Sequence, residues 1–340
     1  MNIKSPRAIR TAAQESLATQ PSHRKVPLAF IGIFSLLSLA VLVTNHILSL
    51  KIENMTGLAN MGNRAVFSTI TSVLSMVPMI FMTGWEMGYL MCALRFARRR
   101  YVEPLDLKNG FRKFWPILRA KILMAFVYFG IGIAAMYASV SIFMLLPISN
   151  AFYEIMVPLM DSLTVLNSTV FIDEATLAAA STAILPAIAI FGVVFLVVCL
   201  PVFYGFRMVS FCIADNGSMG ALAAMKESRA MMKGRKKDLF KLDLSFWWFF
   251  LLEGIISVLC YLDVILPHAG IILPWSNTIS FFAFYLAAMV AQAALYWAYL
   301  NRVTVSQAVF YDAIRPQKPA GGVTLGNIFE LAKDYQNNAE

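Results

Sequence analysis

The chain has 340 residues, of which 59% are apolar and 14% charged, and a formal net charge of +9. This excludes a water-soluble domain of average composition, where charged residues make up about a quarter. Cys92, Cys199, Cys212 and Cys260 stand apart in apolar stretches with no CxxC pair and no neighbouring histidine, which argues against a disulfide framework or a zinc site and for packing roles.

Residues 1–25 form a polar, basic segment with Lys4, Arg7, Arg10, Arg24 and Lys25 set against Glu15. The apolar run that follows, about 26–50, lacks a small-residue cleavage site and exceeds a signal core in length, so it is expected to remain as a membrane anchor. Further runs lie at about 65–94, 117–146, 183–211, 244–266 and 279–300, each long enough to cross a hydrocarbon core of about 30 Å. The expected fold is therefore all-α, a polytopic bundle of about six spans. Its transmembrane domain covers residues 26–315, and the tail 316–340 follows it.

Lysine and arginine set the expected orientation, because loops rich in them resist translocation. The segments before Val26, from Arg95 to Lys121, from Arg207 to Lys241 and from Arg302 onward hold 26 of the 28 basic residues. The alternate loops hold only Lys51 and Arg64, and residues 149–182 carry Glu154, Asp161, Asp173 and Glu174 with no base. Both termini are thus expected in the cytoplasm. Basic residues at the feet of spans point to the lipid bilayer and its anionic headgroups, with no call for a nucleic-acid partner.

The second basic loop is the most patterned. Asp215-Asn216-Gly217-Ser218 reads as a turn with Ser218 as helix N-cap, and Gly234 after Lys233 reads as the helix stop. Met219, Leu222, Met225, Met231 and Met232 between them mix with Lys226, Arg229 and Lys233. Two readings fit, an amphipathic helix along the inner membrane surface or a solvated helix with a basic face. The run Arg235-Lys236-Lys237 then leads back toward the bilayer. The first loop, with Arg98-Arg99-Arg100 and Gly110-Phe111, follows a similar plan: Tyr89 to Arg112 compares with Tyr204 to Arg229, a pattern expected from an old duplication of a two-span unit. A short helix is expected around Tyr153 to Leu166, and one or two turns around Leu325 to Tyr335.

Residues of the second loop carry a resemblance. Ala221-Leu222, Ser228-Arg229, Met232-Lys233-Gly234-Arg235-Lys236, Asp238-Leu239-Phe240 and Leu242-Asp243-Leu244-Ser245-Phe246 resemble the signature of a multi-pass membrane family, domain of unknown function 975. Gly110-Phe111 and Ala308 with Phe310-Tyr311 are similar to other parts of that family. The resemblance covers most of the chain from the second span onward. It implies a bacterial inner-membrane protein, mainly of Gram-positive organisms, and no activity that could be carried over. Trp247-Trp248-Phe249-Phe250 and the outer loop from Pro267 to Pro274 depart from the family pattern.

Within the spans, Glu86, Glu253 and Gln292 are costly to bury in lipid and fall at one expected depth, roughly 14 Å from the basic end. Such a polar set holds a bundle together through interhelical hydrogen bonds or serves as a proton or cation site. Gly84 and Gly88 form a GxxxG pair that allows another helix to approach closely. Pro78, Pro186 and Pro201 are expected to kink their spans.

No enzyme signature was found. HExxH and GxxxxGK[ST] are absent, and the histidines are His23, His46 and His268. Gly217-Ser218-Met219-Gly220 has no histidine on its expected side of the membrane except His23, so it does not make a serine-protease elbow. The expectation is a non-enzymatic membrane protein without metal or cofactor. It would engage a membrane or cytoplasmic protein partner, or anionic lipid, through its basic loops. The alternative is a small gradient-driven transporter or exporter component using Glu86, Glu253 and Gln292.

Overall fold

A computed structural model describes residues 5–53, 61–146, 149–150, 153–154, 174–216, 218–260 and 278–315. The helix expected around Tyr153 to Leu166, the outer loop Pro267 to Pro274 and the turns around Leu325 to Tyr335 lie outside the described residues or almost wholly so.

The described residues hold helices and no strand. In chain order these are α1 (Pro6–Ala18), α2 (Lys25–Glu53), α3 (Met61–Ala97), a 3-10 segment (Pro104–Lys113), α4 (Phe114–Met144), α5 (Glu174–Phe206), α6 (Val209–Asp215), α7 (Ala221–Met232), α8 (Lys236–Leu244), α9 (Trp247–Cys260) and α10 (Thr278–Ile314). Five regions, within α2, α3, α4 with the 3-10 segment before it, α5 with α6, and α10, are long and apolar enough to cross a membrane; α8 with α9 makes a sixth if that pair is taken as one span. The pair is bent by 71° between Leu244 and Trp247. On the other side, α10 continues past Leu300 to Ile314 in one unbroken helix.

Burial divides the molecule by depth. Val66, Ile70, Val73, Val77 and Ile80 on the first half of α3 are exposed, whereas Trp85, Met87, Cys92, Ala93, Leu94 and Phe96 on its second half are buried. The same holds for α10, where Leu286 and Val290 are exposed and Val303, Val305, Ala308, Phe310 and Tyr311 are buried. An apolar side chain open to the outside is at home in lipid, so the exposed halves need no protein cover. The tight core sits at the end where α1, the 3-10 segment, α6, α7 and α8 close over the feet of α3, α5 and α10. All four basic segments meet in this layer.

The two loops return onto the spans they leave. In the first, Gly110 of the 3-10 segment seats directly on Gly84 and Gly88. A Cβ on Gly88 would strike the carbonyl of Leu107, and one on Gly110 would strike the backbone of Gly84 and Gly88. The glycine pair thus receives the 3-10 segment in close backbone contact. In the second, buried Ser228 on α7 donates a 2.9 Å hydrogen bond from Oγ to the carbonyl of Gly205. Each docking point is a glycine beside a tyrosine, Gly88-Tyr89 within α3 and Tyr204-Gly205 near the end of α5.

Helix α7 departs from one expectation. Ser218 does not cap it: the N-cap is Gly220, and Ser218 instead bonds Asn216 Oδ1 through its backbone N–H and its hydroxyl. Its apolar face (Ala224, Met225, Met231 and Met232) is turned into α4, α5 and α6, while Lys226, Arg229 and Lys233 are exposed. Gly234 ends the helix as expected, with φ +78°.

At the end of α3 the same left-handed turn is made by Arg99, with φ 55°. The N–H groups of Arg99 and Arg100 bond the carbonyls of Phe96 and Arg95, each at 2.9 Å, which closes a Schellman motif without glycine.

Replacing Gly88 or Gly110 by alanine forces backbone apart and is expected to cost at least the 1–3 kcal/mol or so typical of overpacking. Gly32→Ala, which meets nothing within 4 Å, serves as the neutral control. Thermal unfolding in detergent, read as loss of the monodisperse elution peak, measures the difference.

Candidate functional site

Two polar regions stand out. The first lies among the spans. Tyr296 on α10 donates a 2.8 Å hydrogen bond to Glu253 on α9, and Gln292 lies one turn away with Nε2 3.4 Å from the Tyr296 hydroxyl. Glu86 is held elsewhere, in a 2.6 Å ion pair with Lys121 of α4. Of the three residues expected at one depth, the structure bonds Glu253 to Gln292 through Tyr296 and gives Glu86 a separate partner.

Beside the Glu253–Tyr296–Gln292 chain is a groove of about 660 Å³ between α2, α3, α9 and α10. Its walls are mostly apolar, with Ser35, Ser38, Asn45, Ser257, Gln292 and Tyr296 as polar points. A largely apolar cleft with a few placed polar groups is the usual form of a small-molecule site.

The second region is the basic layer. Arg98, immediately after α3, reaches two other helices at once. Its Nη1 meets Asp215 at 2.7 Å, its Nη2 meets Asp312 at 2.6 Å, and its Nε donates to both Asp312 oxygens at 3.0 and 3.2 Å. Arg315 holds the other oxygen of Asp215 at 2.6 Å, and the Tyr311 hydroxyl donates to that oxygen at 3.2 Å. The Asp215 side chain is only 6% exposed, and these donors engage both of its oxygens. The hydrogen bonds from Arg98 to Asp312 raise the affinity of the guanidinium for its proton still further, against the opposing effect of burial.

Asp106 fixes the first loop by accepting from the Glu103 backbone N–H at 3.0 Å, from Asn109 at 3.0 Å and from Arg95 at 3.0 Å. Asp243, at the end of α8 and outside the crossing helix α9, accepts from Tyr204 at 3.1 Å and Gln307 at 2.9 Å. Burial pushes its carboxyl up, with Arg207 and these two hydrogen bonds opposing. Asn301 joins the N-terminal segment to α10. It donates to the carbonyl of His23 at 2.7 Å and accepts from the Tyr89 hydroxyl at 3.2 Å.

The sequence motif of the second loop is mostly framework. Ser228 bonds Gly205, Lys236 lies over the same glycine, Arg229 stacks on Phe206 at 5.4 Å, Asp238 occupies the first turn of α8 and Asp243 is buried. Lys233, Gly234 and Arg235 make the turn between α7 and α8. Sequence reasoning missed the Arg98, Asp215, Asp312 and Arg315 cluster. The signal available was an aspartate at each of two apolar helix ends beside a basic run. Among the described residues no group of three or more His, Cys, Asp or Glu is placed to hold a metal ion.

A family model described as protein of unknown function, DUF975, matches residues 1–318. The match includes the first span and the N-terminal helix, beyond the region where the resemblance is visible by eye. No curated protein and no solved structure matches the chain.

Asp215→Ala leaves Arg98 and Arg315 without their common partner. Removing one member of a fully buried pair costs about 3–5 kcal/mol, and partial exposure of the two arginines reduces the expected loss to about 2–3 kcal/mol. Glu15→Gln, in an exposed 3.6 Å pair with Arg99, is expected to change stability by less than about 0.5 kcal/mol. Thermal or denaturant unfolding of the two variants in the same detergent compares them.

Proposed function

Since the chain belongs to the DUF975 family, whose description assigns no activity, we propose from its own charge arrangement that it is a non-enzymatic membrane protein whose basic layer rests on anionic headgroups. One observation carries this reading. Asp106, Asp215 and Asp312 of this layer are engaged internally, by Arg95, Arg98 and Arg315, and buried Asp243 by Tyr204 and Gln307. Meanwhile Arg100, Lys108, Arg112, Lys226, Lys237 and Lys241 are exposed and form no ion pair among the described residues. Basic groups at the surface of a membrane protein are attracted to anionic lipid by about 1 kcal/mol each. The same bias supports a cytoplasmic position for this end, and for both termini, in a bacterial cell. A cytoplasmic or membrane protein that docks on the layer would use the same cations.

The groove beside Glu253 favours a second reading, a small gradient-driven transporter or exporter component. A polar chain inside a cleft of about 660 Å³ offers a substrate or ion a foothold that a purely structural bundle does not need.

Changing Lys226, Lys237 and Lys241 together to glutamine is expected to leave the elution profile intact. It should lower the phosphatidylglycerol that co-purifies, relative to phosphatidylcholine, at least severalfold. Unchanged lipid content would remove the lipid reading, and loss of a co-purifying protein instead would replace lipid by a protein partner.

For the second reading, cysteine is placed at Ser38 or Ser257 in a chain whose native cysteines are replaced. Reaction with a charged, membrane-impermeant thiol reagent is the outcome expected of a water-filled path. Protection from both sides of the membrane would eliminate transport through this groove.

A further inference from the structure

We propose that the cleft between the α1–α2 turn and α10 binds the phosphate of an anionic phospholipid headgroup, with Arg24 and Arg302 as its ligands. The proposal rests on the lipid reading above and gives it a defined site.

A cavity of about 560 Å³ lies at this junction, and a second of about 200 Å³ adjoins it, the two sharing Gln14, Tyr299 and Arg302. Neither lining contains a carboxylate. Arg24 and Arg302 both line the larger cavity, both are exposed, and neither has an ion pair among the described residues. Two free guanidinium groups converging on one cavity suit phosphate, whose oxygens accept the parallel N–H pairs that each fork presents.

The cavity is built on a fixed frame. Buried Asn301 is the residue immediately before Arg302, and its amide donates to the carbonyl of His23, immediately before Arg24. Its Oδ1 accepts from Tyr89, which ties the junction to α3 as well. The backbones that carry the two arginines are therefore clamped together before any ligand arrives, and less order has to be imposed on binding.

Depth identifies the ligand as a lipid. Trp297, also lining the cavity, is 52% exposed at the point where the apolar run of α10 gives way to Asn301 and Arg302. Exposed tryptophan and tyrosine at such a boundary mark the level of the headgroups. Below Trp297, Val290 and Leu286 continue as exposed residues along the same face of α10, a track for acyl chains that a soluble phosphate compound would leave uncovered.

The test uses the full chain in mild detergent, with bound lipid counted by native mass spectrometry during titration with phosphatidylglycerol, phosphatidylcholine or inorganic phosphate. Expected is preferential binding of phosphatidylglycerol that Arg24→Gln with Arg302→Gln weakens about tenfold or more, while the elution profile stays that of the parent. If the double variant aggregates, Arg24→Lys with Arg302→Lys keeps the charge and loses the fork, and is expected to bind several times more weakly than the parent.

Equal binding by parent and either variant overturns the site. If the Lys226, Lys237 and Lys241 variant nevertheless loses lipid, the broader lipid reading survives; if it does not, both fall. Displacement of phosphatidylglycerol by inorganic phosphate at comparable concentration would assign the cleft to a soluble phosphate compound and overturn the lipid.

Discussion

A guanidinium held between two carboxylates that are distant in the chain is the contact on which the rest of this structure depends. Arg98 ends the second span, Asp215 ends the helix after the fourth, and Asp312 lies near the end of the last. Without it the feet of three spans would carry isolated charges at low exposure, a costly arrangement next to an apolar core. With it, the same charges become a cross-brace. Arg315 and Tyr311 complete the brace by engaging the remaining oxygen of Asp215, which leaves that carboxylate acceptor-saturated from two sides.

The brace explains why packing is so uneven with depth. A helix in lipid gains little by burying one apolar face against another, because lipid tails solvate it equally well. The spans can therefore remain loosely associated, with their outer halves open to lipid and a groove left between α2, α3, α9 and α10. At the basic end, water restores the hydrophobic effect. There the chain folds α1, the 3-10 segment, α6, α7 and α8 into a covering layer with a core of ordinary tightness.

The spans were legible in the sequence because twenty or more apolar residues have few alternatives to crossing a bilayer. The stop at Gly234 was legible because a left-handed residue is written in the sequence as glycine. The equivalent turn at Arg99 was not, since it is made by a residue that rarely adopts it and is held by its neighbours. Gly84 and Gly88 announced a close approach but could not say what approaches. Glu86, Glu253 and Gln292 show the same limit. Counting along a helix gives depth, whereas the partner a side chain finds depends on neighbours many residues away: Glu86 pairs with Lys121 and Glu253 with Tyr296. The Arg98 cluster was beyond local reading altogether, because its partners lie 117 and 214 residues further along.

The separation of those partners has a bearing on how the protein is made. Translation delivers Arg98 to the membrane long before Asp215, and Asp312 emerges last of all. A nascent chain with only its early spans made therefore holds Arg98 without either of its carboxylate partners. Each later carboxylate that arrives neutralises and latches what has already been laid down. The brace is thus closed only once Asp312 of α10 has been made, long after the arginine it latches.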